Sequence, residues 1–473
     1  MNDSEPLHYR SAAELASSIK RRELAVTELM DVSLARIEAV NEQVNAIISL
    51  DAEAARDTAK IFDEQRKDIG DKPLYGLPIA IKDLVLTKGI RTTFGSPIYR
   101  DFVPDIDELI VSRLKEAGAI VIGKTNVPEF GAGSQTFNTV FGATRNPYDL
   151  SKTCGGSSGG AAVALACGML SIADGSDLGG SLRNPASFCN VLGFRPSPGR
   201  VPSWPRSFSS DPLGVAGPMA RSAEDIALLL SVMAGPDPRV PISLPEPGAS
   251  FRRPLATDWQ GVRLAWSPDL GRYEIDREVA DVLERQLSKF EVLGCTVERA
   301  EPDLAGADEI FQTLRAWLFT VKLGEDYQRH RDELKDTVAW NVEKGLALTV
   351  EDITRAEIER AALIERVAAF FGRYDYLLCP AAQVPPFPVE QEWVTRINDV
   401  EMESYLDWMG VCYAITVTGC PAISVPAGFT ASGLPIGFQI VGPRWQDFAV
   451  LQLAHAFETL SDAGRRRPSS AHM

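Results

Sequence analysis

Two stretches of the 473-residue chain crowd serine and glycine together: "TCGGSSGGAAVALACGML" at 153–170 and "DGSDLGGSLRNPASF" at 174–188. A serine hydroxyl becomes a nucleophile once a base takes its proton. Glycines beside it let backbone N–H groups converge on a developing oxyanion. A phosphate, an oxyanion or nothing but a tight turn could account for one such cluster; two, one on either side of a small-residue run that reads as a buried helix, are hard to explain as turns alone. For Gly179 and Gly180 close packing is the plainer use of the same residues.

A nucleophilic serine needs a base. The four histidines, His8, His330, His455 and His472, are scattered and stand in no motif-like context, so neither a Ser-His-Asp arrangement nor a metal site is expected. Lysine is the other candidate. Desolvation disfavours the ammonium form and leaves a neutral amine able to accept a proton. Lys82, in "LPIAIKDL", ends an apolar strand-like run where a charge is out of place. A snorkelling surface lysine, or a partner for Asp83, is the alternative reading of that residue. A second lysine, Lys124, lies in "GAIVIGKT" (Gly118 to Thr125), which matches the phosphate-binding pattern G-x-x-x-x-G-K-[ST] in letters only. The four intervening residues are Ala-Ile-Val-Ile, a buried strand rather than a loop around phosphates, and Pro128 follows, so ATP binding is not expected.

These residues must be carried by mixed elements. A capping box at Ser11-x-x-Glu14 opens a helical region to about Arg66, and a second capping signal, Thr349-x-x-Asp352, precedes "ITRAEIERAALIERVAAFF". "LYGLPIAIKDLVL", "GAIVIGKTNV", "YDYLLCP", "PAISVPAGF" and "PIGFQIVGP" read as buried strands, whereas 221–375 reads as mostly helical. "SLPEPGASFRRP" is Pro-rich but short, a surface loop rather than a linker. Strands mixed with helices in one chain imply an α/β fold.

The totals narrow the class of partner. Hydrophobic residues at 45% and charged residues at 24% are those of an ordinary globular protein, and a net charge of −16 argues against nucleic acid or an anionic membrane. The chain begins MNDSEPLHYR without a basic-then-apolar leader, and its longest low-polarity stretch, about Gly159 to Ala173, is shorter than a membrane span. The seven cysteines (154, 167, 189, 295, 379, 412 and 420) contain no Cys-x-x-Cys pair and read as reduced thiols, so a cytoplasmic location is expected.

Taken together, "GLPIAIKD", "AGAIVIGKTNVPEF", "CGGSSGGAAVALACG", "GSDLGGSLRNPASFCNVLGFRPSPGRVP", "GPMARSAEDIALLL" and "GCPAISVPAGFTASGLPIGFQIVGP" occur in the order found in amidase signature serine hydrolases, and the chain resembles that family over nearly its whole length. The resemblance implies one large α/β domain over 1–473, a central mixed sheet covered by helices on both faces. Within it lie a helical region at about 1–70, a catalytic core at 71–220, a variable substrate region at 221–415 and C-terminal strands and helix at 416–460. It implies a Ser-Ser-Lys triad: Lys82 as base, Ser157 as bridging serine on a cis peptide bond, and Ser181 as nucleophile. An oxyanion hole at Leu178, Gly179, Gly180 and Ser181, and backbone at Gly131 lining the acyl pocket, are carried over in the same way.

The expected reaction is hydrolysis of linear carboxylic amides through an acyl-enzyme, with no cofactor and no metal. The expected partner is a small-molecule amide, without nucleic acid or membrane, and a homodimer is compatible with the reading. "GSDLGGS" and "NPASFCN" resemble stand-alone amidases of hydrophobic, aryl or nylon-type amides, with esters and carbamates as further substrates. The alternative branch, the glutaminase component of tRNA-dependent amidotransferases, carries an acidic residue where this chain aligns Met409, with Asp407 close by. A catalytically dead binding module is disfavoured because all three triad positions are intact. Trp204, Phe208, Trp317, Phe319, Trp393 and Trp408 are candidates for an aromatic pocket, core packing being the plainer role for each. Full activity is expected in EDTA and without ATP; activity lost to EDTA and restored by zinc, or dependent on ATP, contradicts this reading.

Overall fold

The apolar runs "PIAIK" and "IVIGKT" form neighbouring parallel strands, Pro78–Lys82 and Ile120–Thr125, and Ile47–Leu50 pairs antiparallel on the other side of the second. This computed structural model describes residues 5–65 and 69–468; Arg66, the expected end of the first helical region, and His472 lie outside them. Both capping boxes form, opening helices Ala12–Lys20 and Val350–Phe371.

The main sheet has eight strands, in the order Thr296–Arg299, Arg263–Trp266, Tyr376–Pro380, Pro435–Val441, Ala422–Phe429, Leu192–Arg195, Val215–Ala220 and Ile172–Asp177. The first three pair parallel and the remainder antiparallel, so the sheet is mixed, with helices on both faces, a main apolar core from Ala12 to Phe457 and a smaller cluster around Phe319 and Val338. Arg263–Trp266 and Thr296–Arg299 interrupt the stretch that reads as mostly helical. Each is four residues long and begins or ends on a charged side chain, too little for a period-two signal. Ile172–Asp177 is hidden for another reason: "IADGSD" is small and polar, yet it is almost wholly buried at the sheet edge.

The small-residue run forms helix Gly159–Ala166, buried throughout. A Cβ added at Gly160 would stand 2.3 Å from the Asn126 nitrogen and 2.6 Å from the Ala46 carbonyl, so the helix lies directly on backbone and admits no side chain there. Its N-terminal approach delivers Ser157 and Ser158. The strand Pro78–Lys82 comes alongside Ile172–Asp177, and the join is made by a side chain: the Lys82 N–H donates to Asp174 Oδ1 at 2.9 Å.

Lys124 is buried within its strand. Its ammonium donates to the Val85 carbonyl at 2.6 Å, Thr87 Oγ1 at 3.0 Å and Thr92 Oγ1 at 3.1 Å. It clamps the segment after Lys82 and does not face a phosphate loop. Lys124→Ala removes three hydrogen bonds and leaves a void; a loss of about 2–5 kcal/mol in unfolding free energy is expected. Urea unfolding of the variant checks this, and unchanged stability would contradict the clamping role.

Candidate active site

Successive strand residues point to opposite faces. Asp83 turns away to accept from Thr93 N and Oγ1, and Lys82 turns inward. Lys82 Nζ lies 2.8 Å from Ser157 Oγ, 2.8 Å from Ser158 Oγ, 3.0 Å from Ser176 Oγ and 3.2 Å from the Ser176 carbonyl. A neutral amine has two N–H groups and one lone pair. Here it can donate to two of these oxygens while its lone pair receives a hydroxyl proton. Burial lowers the Lys82 pKa to about 7, against the opposing pull of the Asp174 and Asp177 charges. The Gly156–Ser157 peptide is cis. Ser158 and Ser176 are not singled out by the sequence, because serines inside Gly-rich runs read as turn formers.

Ser181 sits on the turn that leaves the strand Ile172–Asp177. Gly180 adopts φ +117°, a conformation L side chains avoid, and a Cβ there would also meet Cys412 at 2.7 Å. The turn wraps around the Asp177 carboxylate, which accepts from Gly180 N at 2.9 Å and Leu182 N at 3.1 Å. Arg183 Nε and Nη2 and Arg195 Nη1 complete its shell at 3.0, 2.9 and 3.1 Å, all with buried side chains. Burial by itself raises this carboxyl, but the two guanidiniums outweigh it and hold Asp177 well below the usual carboxylate range. The N–H of Gly180 is thereby committed, whereas those of Leu178, Gly179 and Ser181 make no hydrogen bond among the described residues. The two serine clusters are joined by the Ser158 N–H, which donates to the Ser181 carbonyl at 3.2 Å.

Ser157, Ser176, Leu178, Ser181 and Gly131 line one cavity of about 390 Å³. The α-carbons of Gly179 and Gly180 stand against Phe311 and Cys412. Of the expected aromatic set, Phe208 and Phe319 line the cavity, and Trp317 backs Phe208 with ring centroids 5.2 Å apart. Trp204 lies under the Arg239 guanidinium instead, Trp408 is core packing against Phe188 and Phe387, and Trp393 borders a separate recess. Phe94, Tyr99 and Phe130, which no sequence signal marks, supply the rest of the aromatic wall. Met409 is buried and Asp407 accepts from the Glu403 and Ser404 N–H groups; neither lines the cavity. Among the described residues no histidine lines it either.

The fold agrees with comparison to known proteins. The Amidase family model matches residues 28–451, and the chain belongs to that family of amide-cleaving enzymes. Its similarity to an acylamidase of Rhodococcus erythropolis is 34% identity, covering 98% of this chain and 98% of that protein. A glutamyl-tRNA(Gln) amidotransferase component of Psychrobacter sp. (strain PRwf-1) is also 34% identical, over 96% of this chain and 97% of that one. The crystal structure of a bacterial aryl acylamidase of the amidase signature family matches with TM-score 0.90 and 28% identity, covering 98% of this chain and 100% of that chain.

The ammonium form of Lys82 has no lone pair. Hydrolysis is therefore expected to rise with pH through about 7 and level off on the alkaline side, as the amine loses its proton. Lys82→Ala should cost on the order of 10²–10⁴ in rate on amides, and less on esters, whose leaving group scarcely needs a proton. A pH–rate profile of kcat/KM checks the first point; a profile flat through neutrality would remove Lys82 from the role of base.

Proposed function

We propose that this protein is a stand-alone amidase that hydrolyses hydrophobic, aryl or nylon-type amides through Ser181, with Ser157 and Lys82 as the proton relay. The observation that carries the proposal is the Lys82 Nζ to Ser157 Oγ contact of 2.8 Å at a cavity that Ser181 also lines. Ser181 Oγ attacks the amide carbonyl carbon, its proton passing through Ser157 to Lys82. The N–H groups of Leu178, Gly179 and Ser181 receive the oxyanion, while Gly180, bound to Asp177, holds the turn. The proton returns through Ser157 to the departing amine as the C–N bond breaks. Water then attacks the acyl-enzyme by the same relay, releasing the acid and free Ser181. Gly131 borders the acyl side; a Cβ there would lie 3.4 Å from Ser157 Oγ.

The aromatic wall and the acylamidase relatives support an apolar or aryl substrate. Seven buried cysteine thiols fit a reducing compartment such as the cytoplasm, and among the described residues no helix is long and apolar enough to cross a membrane. The 34% identity to the glutamyl-tRNA(Gln) amidotransferase component favours a second reading, a glutaminase acting within a tRNA-dependent complex. Buried Met409 and locally bonded Asp407 weigh against it, since neither offers a free carboxylate to a glutamine amine in the cavity. A requirement for glutamine and a tRNA-linked partner would reverse that preference.

Ser181→Ala is expected to abolish hydrolysis, and a fluorophosphonate to label Ser181 alone, as read by peptide mass spectrometry. Ser157→Ala should be severely impaired yet folded by circular dichroism. A label found on a different serine overturns the assignment.

A further inference from the structure

Helix Ala307–His330 lines the cavity with Arg315, Phe319, Lys322, Leu323 and Asp326, one face at helical spacing. Most ionic groups around the cavity are matched. Lys322 Nζ donates to Asp211 at 2.7 Å, Asp326 accepts from Tyr99 Oη at 2.9 Å, and Glu108 faces Arg206 at 3.9 Å. Arg315 differs. It is only 5% exposed, and among the described residues no carboxylate pairs with it. Nη2 donates to Tyr405 Oη at 2.6 Å, Nε is buried with no acceptor, and Nη1 makes no hydrogen bond among the described residues. Aromatic faces flank the guanidinium, with the Phe319 centroid at 4.4 Å and that of Tyr405 at 5.7 Å.

A buried cation with unmet donors is costly, and ring faces offset only part of that cost. The group that completes such a fork is a planar anion taking parallel N–H bonds, a carboxylate. Arg315 belongs to the same helix that reaches the Ser181 turn. Phe311, one turn earlier on the helix, stands against Gly179, where a Cβ would come within 2.8 Å of its ring. With the whole chain at net charge −16, an anionic substrate must be drawn in by a local cation of this kind.

We propose that the cavity takes amides bearing a carboxylate remote from the scissile bond, and that Arg315 is the specificity-determining residue that receives it. This rests on the reading of the cavity as the amide-hydrolysing site. The substrate class is then amphiphilic: an aryl or alkyl body against the aromatic wall and one acidic end on the guanidinium.

Two series of anilides test the proposal, one carrying the carboxylate on the acyl chain and one on the ring, each paired with a neutral isostere of equal size. In at least one series the wild-type enzyme is expected to favour the carboxylate in kcat/KM by about tenfold or more, the low end for a hydrogen bond to a charged group. Arg315→Gln should bring that ratio toward one, and Arg315→Lys, which keeps the charge but not the fork, should fall between. A ratio of one or below in both wild-type series, or one that survives in the variants, overturns the proposal. Calorimetric binding to Ser181→Ala, with and without Arg315→Gln, separates the two claims. Carboxylate-selective binding lost only in the double variant supports the Arg315 role even if hydrolysis fails. Equal binding of acid and isostere rejects that role even if hydrolysis is found.

Discussion

One carboxylate fixes the geometry of the site. Asp177 accepts from two N–H groups of the turn that carries Ser181 and from both Arg183 and Arg195, and all three side chains are buried. Removing Asp177 leaves two guanidiniums in the interior without their carboxylate, at about 3–5 kcal/mol. Arg183 extends the hold outward, to the Cys412 carbonyl and Thr416 on helix Gly410–Thr418 and to Gln439 in the strand Pro435–Val441. The turn is thus held by the main sheet and the helix beside it rather than by its own stiffness. The same carboxylate occupies the Gly180 N–H, so it also selects which amides of the turn stay free.

Lys82 depends on a compensation that is incomplete. Burial drives its pKa down, and the Asp174 and Asp177 charges push it up, leaving it at about 7. Asp174 reaches the Lys82 backbone N–H, whereas the amine itself meets only hydroxyl and carbonyl oxygens. A direct ion pair would keep the amine protonated near neutral pH and leave it without a lone pair. The junction of two sheets accomplishes this placement: one edge brings the lysine, and the other brings an acid close enough to act through space without bonding the ammonium.

Much of this is legible in the sequence, for identifiable reasons. A charge closing the apolar run "PIAIK" is anomalous in a strand, and Lys82 is buried there as that anomaly implies. The strand reading of "GAIVIGKT" likewise rests on four apolar residues in a row, and Ile120–Thr125 is a strand. Other features leave weaker traces. Ser158 and Ser176 touch the amine, but a serine in a glycine-rich run has the same letters whether it turns the chain or binds a lysine. Phe94, Tyr99 and Phe130 gather from loops whose proximity depends on tertiary packing, so the sequence directs attention to tryptophans that mostly pack elsewhere. Arg183, Arg195 and Arg315 show in sequence as ordinary arginines; only burial sets them apart.

The glycine-first helix Gly159–Ala166 has a consequence for how such a protein diversifies. Lying against the backbone at Asn126 and Ala46, it has no side-chain volume to trade. The wall of the cavity on helix Ala307–His330 is the reverse, made of large side chains whose replacement leaves the backbone where it is. Evolutionary drift is therefore channelled to one side. Exchanges on the long helix reshape the cavity wall alone, while the side beside Lys82 and Ser157 stays frozen, because a side chain at Gly160 would have to move main chain.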